Sequence, residues 1–79
     1  MDYTIPTTQQ LAQVLRGQRI AKRLTQKSVG ASVGLLPKTV VKLESEPARS
    51  SVESLLKLIS ALDLELVVRP KHAKIGSEW

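Results

Sequence analysis

The chain has 79 residues and a formal net charge of +5, with 42% hydrophobic and 24% charged residues, enough for one small domain with a modest core. That balance excludes a disordered chain. The absence of cysteine excludes a disulfide framework or a thiolate metal site, and no apolar run approaches the roughly 20 residues of a bilayer span. Tyr3 and Trp79 are the only aromatic residues, so the core is expected to be aliphatic, and an opening of "MDYTIPTT" is neither basic nor continuously apolar, which points to a cytoplasmic protein.

Helical patterning begins after Pro6. Thr8 is expected to cap a first helix running to about Lys22, with Leu11, Val14 and Leu15 on one face. Arg19 lies four residues after Leu15, on that same apolar face, and an arginine there requires a partner. Gly17 weakens the helix by about 1 kcal/mol relative to alanine. Thr25 can cap a second helix, Gln26 to Val33, with Val29 and Val33 inward. Gly34 falls where a left-handed residue closes a helix, and Pro37 suits the first turn of a third helix lined by Leu36, Val40 and Leu43. Glu44 continues that inner stripe, four residues after Val40.

The loop "SEPARS" ends at Ser50, which with Glu53 predicts a capping box. A fourth helix follows with Val52, Leu55, Leu56, Ile59 and Leu62 along one face. Leu58 widens that stripe toward a surface for a second subunit. "LELVVRP" then alternates like a strand until Pro70, and residues 71–79 lack periodicity and are expected to form a flexible tail.

Charge is segregated along the chain. Arg16, Arg19, Lys22, Arg23, Lys27, Lys38 and Lys42 fall in one block with no acid among them, and Glu44 is the first carboxylate after Asp2. Such a block is the footprint of a phosphate-backbone binder or simply a solvated basic surface. The stretch "VGASVGLLPKTV" holds two glycines, but without the spacing or the preceding strand of a phosphate-binding loop. Gly30 is better placed as a small residue at a helix crossing, and Gly34 as a turn residue. Two short helices around a three-residue turn on a basic surface match the helix-turn-helix plan.

Leu15, Arg16, Arg19, Leu24, Thr25, Gln26, Gly34, Thr39, Val40 and Glu44 together resemble the Cro/C1-type (XRE) helix-turn-helix family. Gly30 departs from it where alanine is usual, and Leu36 where a polar cap is common. The resemblance implies an all-α, lambda-repressor-like domain of four to five helices, covering residues 1–70. It also implies that Arg19 and Glu44 pair in the interior. A third helix of this kind enters the major groove. Pro37, Lys38, Val41 and Lys42 would then face outward, Lys38 toward guanine and Val41 toward a thymine methyl. Thr39 and Lys42 flank the stripe beside the DNA backbone, and Gln26 and Lys27 are expected at phosphates. The alternative for the lysines is ordinary solvation.

The order of elements, the ending "ALDLELVVRP" and a terminal tryptophan resemble HipB-type antitoxins more narrowly. That likeness implies a homodimer that represses its own operon on the nucleoid and neutralises a HipA-like serine/threonine kinase toxin. A stand-alone repressor without a toxin is the alternative. A short strand of Glu65, Leu66, Val67 and Val68, ending at Arg69, would pair with its symmetry mate, or else within the chain against "YTI". Ile75 and Trp79 in the tail would dock onto the toxin. Catalysis is not expected, because His72 is the only histidine and the carboxylates are scattered; no cofactor or metal is implied.

Overall fold

The computed structural model of the chain describes residues 2–71. Its elements are α1 (Thr8–Ala21), α2 (Gln26–Ala31), α3 (Pro37–Ser45), a 3-10 turn (Pro47–Arg49) and α4 (Val52–Ala61). α1, α2 and α4 each start at a side-chain cap, whereas α3 starts at Pro37 without one. Thr7, one residue before the expected Thr8, caps α1: its Oγ1 accepts from the Gln10 amide at 3.2 Å. The two threonines are equivalent in type, and Thr7 is the one in extended backbone after Pro6. At α2, Thr25 Oγ1 accepts from the Ser28 amide at 3.0 Å and Ser28 Oγ accepts from the Thr25 amide at 3.1 Å, a reciprocal capping box. Ser51, not Ser50, caps α4, accepting from the Ser54 amide at 3.0 Å; the expected Ser50–Glu53 box does not form, because Ser51 is the residue in the cap position.

Three helices close in the same way. Leu24, Leu35 and Leu64 donate their amides back to the carbonyls of Arg19, Gly30 and Ile59, at 3.1, 2.8 and 3.0 Å. In each case the residue before the leucine is left-handed: Arg23 (φ 57), Gly34 (φ 74) and Asp63 (φ 61). The leucine after each turn is then folded onto the core. α2 stops at Ala31, short of the expected Val33, because the Gly30 carbonyl also accepts from Val33 at 3.1 Å, tightening the last turn.

Leu15, Val29, Val40, Leu43, Leu58, Ile59 and Leu62 form the core, entirely aliphatic, with Leu11, Leu24, Leu35, Leu55, Ala61 and Leu64 packed against it. Gly30 lies where α2 crosses α3. A Cβ there would stand 2.6 Å from the Leu35 carbonyl oxygen and 3.0 Å from Val40 Cγ2, so the crossing excludes even alanine without adjustment. Tyr3 stays outside the core, its hydroxyl accepting from Gln18 Nε2 at 3.0 Å and laying the amino-terminal arm along α1.

One expectation needs correction, and the alternatives for another are narrowed. Leu58 is fully buried and cannot meet a second subunit, whereas Val52 and Leu56 are 67% and 45% exposed. At roughly 100° per residue, Leu55, Leu58, Ile59 and Leu62 centre one stripe, and Leu56 falls roughly a quarter-turn away from it. The strand expected over Glu65–Arg69 has no partner within the chain: residues 64–70 carry no strand pairing among the described residues, so "YTI" does not receive them. A strand exists only through its ladder partner, and the described residues of one chain offer it no sheet edge.

Candidate nucleic-acid interface

The outer face of α3 is built by what its inner face buries. Val40, Leu43 and Glu44 are buried, so Lys38, Val41 and Lys42 are left facing solvent, and Thr39 is half-buried at the edge of the stripe. Pro37 occupies the first helical position, where its missing N–H leaves no bond unmade. Leu36 precedes it in extended backbone, offers no side-chain cap, and is 60% exposed. The first turn of α3 therefore presents the Lys38 amide, an apolar side chain and the Lys38 ammonium together, since Pro37 has no N–H and the Thr39 amide donates to the Leu36 carbonyl at 3.0 Å.

A polar network fixes the position of α3. Arg19 Nε donates to Glu44 Oε2 at 2.6 Å and Nη2 donates to Oε1 at 3.1 Å, while Nη1 donates to the Leu24 carbonyl at 2.8 Å. The two side chains are 13% and 3% exposed. The guanidinium thus ties the end of α1, the turn after it and the last turn of α3 into one unit, each charge satisfied by direct bonds. Gln26 joins this network: its Nε2 donates to Glu44 Oε1 at 3.2 Å. The Gln26 side chain expected at a DNA phosphate is turned inward here, and Lys27 next to it is the exposed cation at that end of α2.

Residues not singled out by sequence reasoning complete the surface. Lys38, Thr39 and Lys42 share a cleft of about 330 Å³ with Arg49, Ser50, Ser51 and Ser54. The 3-10 turn, with Arg49 N donating to the Glu46 carbonyl at 3.0 Å, swings the start of α4 alongside α3 and creates this cleft. The available signal was an arginine two residues before a serine cap, "PARSS". Among the described residues no cluster of three or more histidine, cysteine, aspartate or glutamate side chains could hold a metal ion. No helix among them is long and apolar enough to cross a membrane. His72, Ile75 and Trp79 lie outside the described residues.

Comparison with known proteins agrees with this geometry. No protein-family model matches the chain. Over 64 residues it is 33% identical to an uncharacterized HTH-type transcriptional regulator, y4dL, of Sinorhizobium fredii (strain NBRC 101917 / NGR234); the match takes in 81% of this chain and spans about a third, 33%, of that relative's length. Among solved structures, a chain of a HipA–HipB–O2–O3 complex superimposes with a TM-score of 0.84 at 20% identity, covering 90% of this chain and 100% of its own. A HipB–O4 20mer complex gives a TM-score of 0.83, again at 20% identity and with the same coverage. The fold is therefore the helix-turn-helix fold in the form seen in HipB.

Proposed function

We propose, from a fold shared with HipB and a sequence shared with a helix-turn-helix-type transcriptional regulator, that the protein is a DNA-binding regulator whose α3 reads the major groove of an operator. The observation that carries this reading is the outer face of α3. Lys38, Val41 and Lys42 project from a helix whose opposite face is locked to α1 by Arg19–Glu44. Lysine at the groove bonds guanine O6 and N7, and the Val41 methyls match a thymine methyl in size and polarity. Lys27, with Thr39 and the amides of Gln26, Lys27 and Lys38, meets the phosphates alongside. In this reading Gln26 acts chiefly by holding Glu44, and its remaining amide proton is free for a phosphate. The role is binding without catalysis, on the nucleoid in the cytoplasm.

The finer reading is an antitoxin. Leu66, Val67 and Val68 are 55%, 61% and 92% exposed. Pairing of Glu65–Val68 with a second copy would cover them and set two α3 helices one helical turn apart on an inverted repeat. One solved neighbour is a HipA–HipB complex, which supports a HipA-like kinase toxin as the protein partner, with Ile75 and Trp79 as its anchors. The relative named only as a transcriptional regulator favours the second reading, a repressor without a toxin.

The test is a gel shift on the DNA directly upstream of the protein's own reading frame, run with and without the co-expressed neighbouring gene product. A shift that weakens steeply with salt is expected. Absence of any shift at low salt would sink the DNA reading. Deleting Ser77–Trp79 should abolish capture of the neighbouring product and leave the shift unchanged; equal loss of both would refute that division.

A further inference from the structure

We propose that Leu36 and Pro37 read a thymine 5-methyl group in the major groove, beside the one assigned to Val41, so that the operator carries clustered thymines where α3 enters. This rests on the DNA-binding reading and names the base feature that the start of α3 selects. Leu36 is the residue before α3, in extended backbone (φ −71, ψ 151), and its carbonyl accepts from the Thr39 and Val40 amides at 3.0 and 3.2 Å. Its backbone thus begins the helix, but its side chain makes no capping bond. At the same position α1, α2 and α4 have Thr7, Thr25 and Ser51, each accepting from a backbone amide. Leucine is among the poorest residues for that position and serine among the best.

The side chain does not serve the core either. Leu35 is folded onto the core, whereas Leu36 is 60% exposed. Leucine here therefore weakens the fold twice, by a missing cap and by apolar surface left in water. Pro37 is exposed next to it, and Val41, 45% exposed, lies one turn further along the same side of α3. Lys38 and Lys42 stand beside these three apolar residues, and neither is in an ion pair among the described residues. An apolar protein surface laid over them would strip water from two unpaired ammonium groups. The major groove suits both kinds of side chain, with thymine methyls on its floor and phosphates along its walls. The first residues of a groove-bound helix are the ones that reach the bases.

The test uses the upstream DNA of the gel shift, synthesised as a duplex with thymidine or with 2′-deoxyuridine throughout. Uracil pairs as thymine does and lacks only the methyl group. Fluorescence anisotropy measures the full chain and its Leu36→Ser variant on both duplexes. The unmodified protein should bind the uracil duplex about fifteenfold more weakly, from two lost methyl contacts at about fourfold each. In Leu36→Ser the ratio should shrink to about fourfold, the part that belongs to Val41. Any change that uracil makes to the duplex itself is common to both proteins and cancels. Equal ratios in the two proteins would overturn the inference. So would a lower melting temperature for Leu36→Ser, because serine supplies the missing cap and should hold or raise it. If both duplexes bind the unmodified protein equally well, the DNA reading stands and the methyl reading alone fails. If neither binds at low salt, both fail together.

Discussion

Arg19 and Glu44, 25 residues apart in sequence, meet through a forked pair of hydrogen bonds of 2.6 and 3.1 Å that fastens the end of α1 to the end of α3. Because Glu44 is almost completely buried, removing it leaves a guanidinium without its counter-charge and Gln26 without its acceptor. Glu44→Ala should cost about 3–5 kcal/mol, a large part of what so small a domain has. Thermal unfolding followed by far-UV circular dichroism checks this. A melting temperature close to that of the unmodified protein would show that the pair contributes little.

Gly30 is predicted to be intolerant for a different reason. A methyl group there would press on the Leu35 carbonyl and on Val40, and α3 would have to shift away. Gly30→Ala should destabilise by about 1–3 kcal/mol and, by displacing α3, weaken duplex binding more than stability alone explains. Denaturant unfolding and anisotropy measured on the same samples separate the two effects.

Gly17 has the opposite expectation. It is exposed in the body of α1, and a Cβ there would meet nothing within 4 Å. Gly17→Ala should therefore stabilise the domain by about 0.5–1 kcal/mol, through helix propensity and a less flexible unfolded chain. A lower urea midpoint for this variant would contradict it.

Lys38 and Lys42 should separate by what they touch. Lys38→Gln is expected to weaken binding to the operator by about 1–3 kcal/mol while changing binding to unrelated duplexes much less. Lys42→Gln should weaken both alike and lower the salt slope by about one. Competition anisotropy with operator and scrambled duplexes makes the comparison, and identical profiles for the two variants would refute the assignment.

The inward charges were legible because a period of 3.6 places Arg19 over Leu15 and Glu44 over Val40, whatever the tertiary arrangement. The α2–α3 joint was equally legible, since Gly34 and Pro37 each have one conformational use there. α4 was not, because Val52, Leu55, Leu56, Leu58, Ile59 and Leu62 spread over an arc of about 160°, close to half its circumference. Only packing decides which of those faces turns inward. Adjacent candidates of one type, Thr7 and Thr8 or Ser50 and Ser51, differ by a single residue of backbone that composition does not resolve. Arg23 and Asp63 close their helices where glycine is the expected signal, so nothing in their identity announces it. The Arg49–Ser54 wall exists only once the 3-10 turn has brought two distant elements side by side.

An interior made only of leucine, isoleucine and valine has a spectroscopic consequence. With no phenylalanine in the chain and its two chromophores at positions 3 and 79, the core absorbs nothing above the peptide bands. Tyrosine emission therefore reports one local event, the parting of Tyr3 from Gln18 as the arm lifts off α1. Collapse of the core is visible only to backbone probes. A mismatch between the two signals on heating would measure how readily the arm peels away from an otherwise intact domain.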